Sequence, residues 1–332
     1  MHMKSAAVRA AILAISLAFA AAGPLRAEVA PAPQACFSPA ELAGKPQEKP
    51  PLHGAPGSSV KQPAAQTARP PATALTGSIR RVDLPPGEKF IALTFDLCEA
   101  GGEVAGYDGA LVDTLRANGV RATFFAGGKW LVTHPDRAGQ LLADPLFEMG
   151  NHTWTHWNLG VASGAGMRAQ VDAVDGAYAA ARASLANTCP SAKPPPQMGL
   201  FRFPYGSCSP ESLAYVNQRG YRAIQWDVDS GDPWLPMSGG RMAKAVLAAV
   251  KPGSIVLMHA NGRGFHTGEA LDQIIPELKA RGFSFLTVSE LLARGKPTAA
   301  ATCYGERPGD TAVYDRRWRG LTGPGRAVGV TR

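Results

Sequence analysis

From Ile79 onward the chain alternates short runs of apolar and β-branched residues with longer stretches whose apolar positions recur at helical spacing. The runs predict seven strands: Phe90–Phe95, Ala122–Ala126, Phe147–Asn151, Leu200–Phe203, Arg222–Trp226, Ser254–Met258 and Phe283–Val288. The intervening spacing predicts helices over Gly109–Asn118, Pro135–Ala143, Met167–Ala186, Pro210–Arg219, Arg241–Val250, Gly268–Arg281 and Ser289–Arg294. Several of these end at a glycine or asparagine stop, such as Asn118-Gly119, Gly220 and Gly282. This alternation builds βα units around a parallel sheet. Seven repeats suggest an α/β barrel, and a doubly wound open sheet would show the same alternation.

The flanks follow no such pattern. Residues 1–27 set Lys4, Arg9 and Arg26 around an apolar run from Ala10 to Ala22, which reads as a secretory signal peptide. That run is shorter than the ~20 residues needed to span a bilayer, so membrane contact is expected only if the segment is retained. Residues 28–78 read as an extended, disordered linker, with ten prolines between Glu28 and Gly77 and almost no apolar periodicity. After Gly295 the pattern dissolves, and residues 297–332 read as a basic, Gly-rich tail.

Composition narrows the class. With 332 residues, 45% hydrophobic and 18% charged, the chain is neither disordered overall nor fibrous. Its 34 Lys and Arg against 26 Asp and Glu give +8; removing three basic residues with the signal segment leaves 31 − 26 = +5. A mildly basic exported protein suits anionic envelope polymers. No long Lys/Arg block interleaved with aromatics appears, so nucleic acid is not an expected partner. Five cysteines and no CxxC pair predict one or two disulfides rather than a cysteine zinc site. Cys98 is expected to be bonded, with Cys208, also just past a strand end, as a possible mate.

Chemistry collects at the carboxyl ends of strands in parallel α/β folds, and this chain places its polar residues there. Asp96 ends the first strand, His152 and His156 follow the third, and Arg202 follows the fourth. Asp227, Asp229 and Asp232 follow the fifth, and His259 closes the sixth. His152 and His156 are four apart, so one helical turn would bring both imidazoles to one divalent ion.

At these positions the chain resembles the polysaccharide deacetylases, the NodB-homology domain of carbohydrate esterase family 4, over residues 79–296. The family's TFDDG is here Thr94-Phe95-Asp96-Leu97-Cys98, and its H-[ST]-x-x-H is His152-Thr153-Trp154-Thr155-His156. R-x-P-[YF] is Arg202-Phe203-Pro204-Tyr205, D-x-x-D-W is Asp229 to Asp232 with Pro233 before Trp234, and L-x-H is Leu257-Met258-His259. The resemblance implies a distorted barrel of about seven strands that removes acetyl groups from N-acetylglucosamine polymers with a divalent ion, commonly zinc. It implies His152 and His156 as ligands, Asp96 as base, Arg202 orienting Asp96, and the Tyr205 N–H as an oxyanion donor. His259 would be the acid, Asp232 would keep it protonated, and Leu257 with Trp234 would receive the acetyl methyl.

One departure matters. The family's second Asp, its third metal ligand, is Leu97 here. The expected substitutes are Asp96, Glu99 or Asp108. The expected enzyme is thus an exported, metal-dependent N-deacetylase of peptidoglycan or chitin-like glycans, with no stable protein partner. The alternatives are an O-acetyl polysaccharide esterase, a catalytically inactive glycan-binding module because the usual second Asp is Leu97, and a Cys98 thiol nucleophile.

Overall fold

The computed structural model describes residues 36–53, 60–63 and 76–321. The expected signal peptide at 1–27 lies outside them. The strands are β1 (Leu52–His53), β2 (Ser78–Asp83), β3 (Phe90–Leu97), β4 (Glu103–Val104), β5 (Ala122–Ala126) and β6 (Phe147–Asn151). They continue as β7 (Leu200–Phe201), β8 (Arg222–Ile224), β9 (Val228–Asp229), β10 (Ile255–His259), β11 (Ser284–Phe285) and β12 (Lys296–Ala300). The seven expected strands correspond to β3, β5, β6, β7, β8, β10 and β11.

The main sheet runs β12-β2-β8-β7-β6-β5-β3-β10-β9, with β11 also paired to β3. Every pairing in it is parallel except β12 with β2. The helices between successive strands complete a distorted (β/α) barrel that stays open, with β9 and β12 at its two edges. All seven expected helices form, and a further turn, Gly128–Thr133, follows β5.

Strand alternation sorts β3 into two cores. Ile91, Leu93, Phe95 and Leu97 join the large cluster that also holds helix residues such as Leu111, Leu115 and Ile274. Ala92 belongs to the smaller cluster inside the barrel, with Phe125, Ile224, Trp226 and Leu257. Each such fully buried large side chain contributes ~1.5–3 kcal/mol relative to exposure. Leu97 is thus a helix-facing core residue, while the intervening positions of β3 face the barrel interior.

Both flanks are more ordered than expected. Residues 39–42 form a helical turn with a Ser38–Glu41 capping box, Cys36 is disulfide-bonded to Cys189, and β1 pairs with β4. This N-terminal strap carries a signal that Pro-rich composition hides: polar contacts rather than an apolar stripe. Arg137 reaches the carbonyl oxygens of Glu41 and Ala43 and the Glu48 carboxylate, and Lys49 pairs with Asp108 at 2.7 Å. At the other end, β12 adds to the sheet and the helix Ala312–Leu321 packs beyond it. A disulfide between Cys208 and Cys303 anchors that segment. Residues 297–321 are therefore part of the folded domain. The expected bond to Cys98 does not form; Cys98 is the free cysteine, buried.

Candidate active site

β3 and β10 lie side by side with Asp96 and His259 in register, so two strand ends deliver two titratable groups to one mouth. Asp96 is 4% exposed. Its Oδ1 accepts from Arg202 Nη1 at 2.9 Å, and its Oδ2 lies 3.3 Å from His152 Nε2. Burial alone would raise the Asp96 carboxyl, but the cationic surroundings, in which the permanently charged Arg202 guanidinium is bonded to Oδ1, outweigh it and hold the group below the usual carboxylate range. Arg202 is fully buried, its guanidinium carbon 4.1 Å from the Phe125 ring centroid, with Nε and Nη2 donating to the Ile224 and Gln225 carbonyls.

His152 Nδ1 is 2.9 Å from the Arg202 carbonyl, which can only accept, so Nδ1 carries the proton and Nε2 is left as a lone-pair donor. That Nε2 is buried and makes no hydrogen bond. His156 stands beside it with ring centroids 4.9 Å apart, and Cys98, His152 and His156 bring donor atoms within 4.8 Å of one another. Burial pushes both imidazoles below their ordinary value, most strongly at His156, so both are neutral, the form that binds a cation. Burial, reinforced by the Asp96 charge, pushes the Cys98 thiol up to about 12. A protonated thiol is a poor nucleophile, which disfavours the reading of Cys98 as an acyl carrier.

The two histidines meet through a loop and not through the helical turn that their spacing suggested. Thr153 and His156 have φ of 66° and 59°. Tyr205, at φ 60°, is the third non-glycine residue at positive φ among the described residues, and all three belong to this site. Strain of ~1–3 kcal/mol per such residue persists where the surroundings over-determine the backbone.

Asp232, 1% exposed, accepts from His259 Nδ1 at 2.8 Å through Oδ1. Its Oδ2 accepts from the His259 amide at 2.6 Å and the Thr267 hydroxyl at 2.8 Å. Burial alone would lower the His259 imidazole, but the Asp232 carboxylate outweighs it and pushes it up to about 9. These groups open into a cavity of about 690 Å³, whose walls include Tyr205, Leu257, Trp234 and Trp226.

A family model described as "Polysaccharide deacetylase" matches residues 83–224. A chitooligosaccharide deacetylase of Bradyrhizobium sp. (strain ANU 289) is 31% identical over 220 residues, which cover 62% of this chain and 91% of the relative. The chain belongs to the polysaccharide deacetylase family. As a family member it is a hydrolase of the deacetylase class. A peptidoglycan-N-acetylglucosamine deacetylase of Bacillus cereus is 28% identical over 214 residues, covering 64% of this chain and 71% of the relative. Among solved structures, a mutant of a CE4-family pseudoenzyme with restored enzymatic activity superposes with a TM-score of 0.55 at 28% identity, covering 67% of this chain and 74% of that one.

In this deacetylase Asp96, His156 and His259 line one cavity with Tyr205 and Leu257, and His152, Arg202 and Asp232 back Asp96 and His259 from behind. Trp234 lines the mouth but is 52% exposed. Two candidate ligands lie elsewhere. Glu99 is held by Lys129 at 3.2 Å, the Thr133 hydroxyl at 2.8 Å and the Ala105 amide at 2.9 Å. Asp108 caps the helix Gly109–Ala117 and pairs with Lys49.

Sequence reading weighed Cys98 as a nucleophile or a disulfide partner but not as a donor grouped with both histidines, and it missed Asn261, whose Nδ2 donates to Cys98 Sγ at 2.9 Å. It also missed the C-terminal wall: Gly305, Thr311 and Tyr314 line the cavity, and Tyr314 lies 5.6 Å from the Tyr205 ring. Asp315 docks this wall by accepting from Ser207 Oγ at 2.7 Å and Asn158 Nδ2 at 2.9 Å. Cysteine spacing alone could not have announced it.

Proposed function

We propose that this polysaccharide deacetylase is an exported, zinc-dependent enzyme that removes N-acetyl groups from N-acetylglucosamine-containing glycan, with peptidoglycan strands as its substrate class. The observation that carries this reading is the register pair Asp96–His259, a carboxylate backed by Arg202 facing an imidazole backed by Asp232 across one cavity. A base and an acid of opposite protonation state on adjacent strands suit amide hydrolysis, where one proton leaves the attacking water and another reaches the departing nitrogen.

Asp96, held ionised by Arg202, takes the proton of the attacking water. The Tyr205 N–H stabilises the oxyanion, and His259, kept protonated by Asp232, gives its proton to the amine. Leu257 offers apolar surface to the acetyl methyl. The buried Nε2 of His152, with a lone pair and no hydrogen bond, fits a divalent ion shared with His156. When bound there, the ion supplies Lewis acidity at the acetyl carbonyl and makes the attacking water more acidic.

The disulfides Cys36–Cys189 and Cys208–Cys303 suit an oxidising compartment, which supports export. The decisive experiment is acetate release from N-acetylglucosamine oligomers, purified peptidoglycan and acetylated xylan by the full chain, with and without chelator. Chelator-sensitive release is the expected result. Release only from acetylated xylan would move the protein to the ester-cleaving reading, and glycan binding with no release to the inactive module.

A further inference from the structure

We infer that Cys98 supplies, as a thiolate, the third protein ligand of the metal site, so that this deacetylase binds its ion through one sulfur and two imidazoles. The inference rests on the reading of the site as a metal-dependent deacetylase and specifies which of the chain's own residues complete it.

The register of β3 is the first argument. Odd positions from Ile91 to Leu97 enter the helix-facing core, and Leu97 is fully buried there. Leu97 therefore brings no donor to the cavity, whereas Cys98, the first residue past the end of β3, lines it. The donor absent at Leu97 thus has a counterpart one residue later, in the cavity wall.

The geometry is the second argument. The Cys98 sulfur and the two histidine nitrogens lie within 4.8 Å of one another, a grouping that one ion can bridge. His152 Nε2 is buried, makes no hydrogen bond and has its tautomer fixed from behind by the Arg202 carbonyl. The competing carboxylates Glu99 and Asp108 are committed to Lys129 and Lys49. Asp96 already spends Oδ1 on Arg202, which keeps it as the base.

The surroundings of the sulfur are the third argument. Of five cysteines, four form the two disulfides and Cys98 stays reduced and buried. Asn261 Nδ2 donates to both its Sγ and its carbonyl, at 2.9 and 2.8 Å, which fixes the orientation of the sulfur. On binding, the metal–sulfur bond replaces the S–H bond and the proton leaves to solvent. A thiolate carries the same formal charge as a carboxylate but is softer, so the site favours zinc, cobalt and cadmium over magnesium, calcium and manganese.

The test uses the full chain, stripped of metal and reloaded with cobalt(II), with cobalt counted by elemental analysis. The expected spectrum has one bound cobalt and a near-ultraviolet sulfur-to-cobalt charge-transfer band. Cys98→Ser should abolish the band and weaken binding beyond the ~10–100-fold that loss of an outer-shell partner costs. Cys98→Asp should recover binding without the band, with circular dichroism confirming that each variant is folded. Cobalt bound by the unmodified chain without the band would overturn the inference and leave a two-histidine deacetylase standing. No cobalt bound at all would overturn both this ligand set and the metal-dependent reading.

Discussion

Asp232 grips His259 twice: one carboxylate oxygen accepts from the imidazole Nδ1 at 2.8 Å and the other from the same residue's backbone amide at 2.6 Å. The ring's orientation and its charge therefore depend on one side chain. Because the imidazole is pushed up to about 9, it is protonated below that pH and loses its proton above it. Activity should therefore fall on the alkaline side, as pH rises through about 9. Asp232→Asn should move this limb toward neutrality and lower kcat at pH 8, read from a pH–rate profile of acetate release.

Asp96→Asn keeps an oxygen within reach of Arg202 but cannot take a proton from water. Turnover should drop by ~10²–10⁴-fold, the usual contribution of a general base, with little change in thermal midpoint. An Asp96→Asn enzyme at full activity would remove Asp96 from the role of base.

Arg202 behaves differently because it is fully buried and paired with a buried carboxylate. Arg202→Met leaves that carboxylate uncompensated and should cost ~3–5 kcal/mol of stability in denaturant unfolding. Adding Asp96→Asn to Arg202→Met should restore part of that loss, since the stranded charge is then gone. A double variant less stable than Arg202→Met would show that packing on Phe125 dominates.

The Cys208–Cys303 disulfide ties the Tyr205 loop to the segment that lines the cavity. Replacing both cysteines with serine should cost ~2–4 kcal/mol and raise KM for long oligomers more than for short ones. Equal KM changes at all chain lengths would separate this wall from substrate recognition.

Much of the fold was legible because buried parallel strands are short apolar runs and their helices carry clear stops at Asn118-Gly119, Gly220 and Gly282. The candidate site was legible for the same reason: Asp96, Arg202 and His259 interrupt or follow runs that would otherwise be wholly apolar. What escaped was whatever depends on long-range pairing. Glu99 looked available until Lys129 and Thr133 met it in space, and the strap and C-terminal wall are held by disulfides and scattered polar contacts. The place of Cys98 in the cavity wall was not legible from strand periodicity, because residue 98 lies just past the end of β3.

The strap has one more implication, for where the cooperative unit begins. The Lys49 carbonyl sits where a Cβ on either Gly106 or Gly262 would collide with it, so the strap is wedged against the loops beside Glu103 and Asn261. A fragment starting at residue 79 would keep every motif of the family and yet lack that wedge. A cut between 54 and 75, by contrast, would leave the strap joined through Cys36–Cys189. Such a nicked molecule would migrate as one polypeptide until reduced, and its smallest intact form starts at or before Cys36.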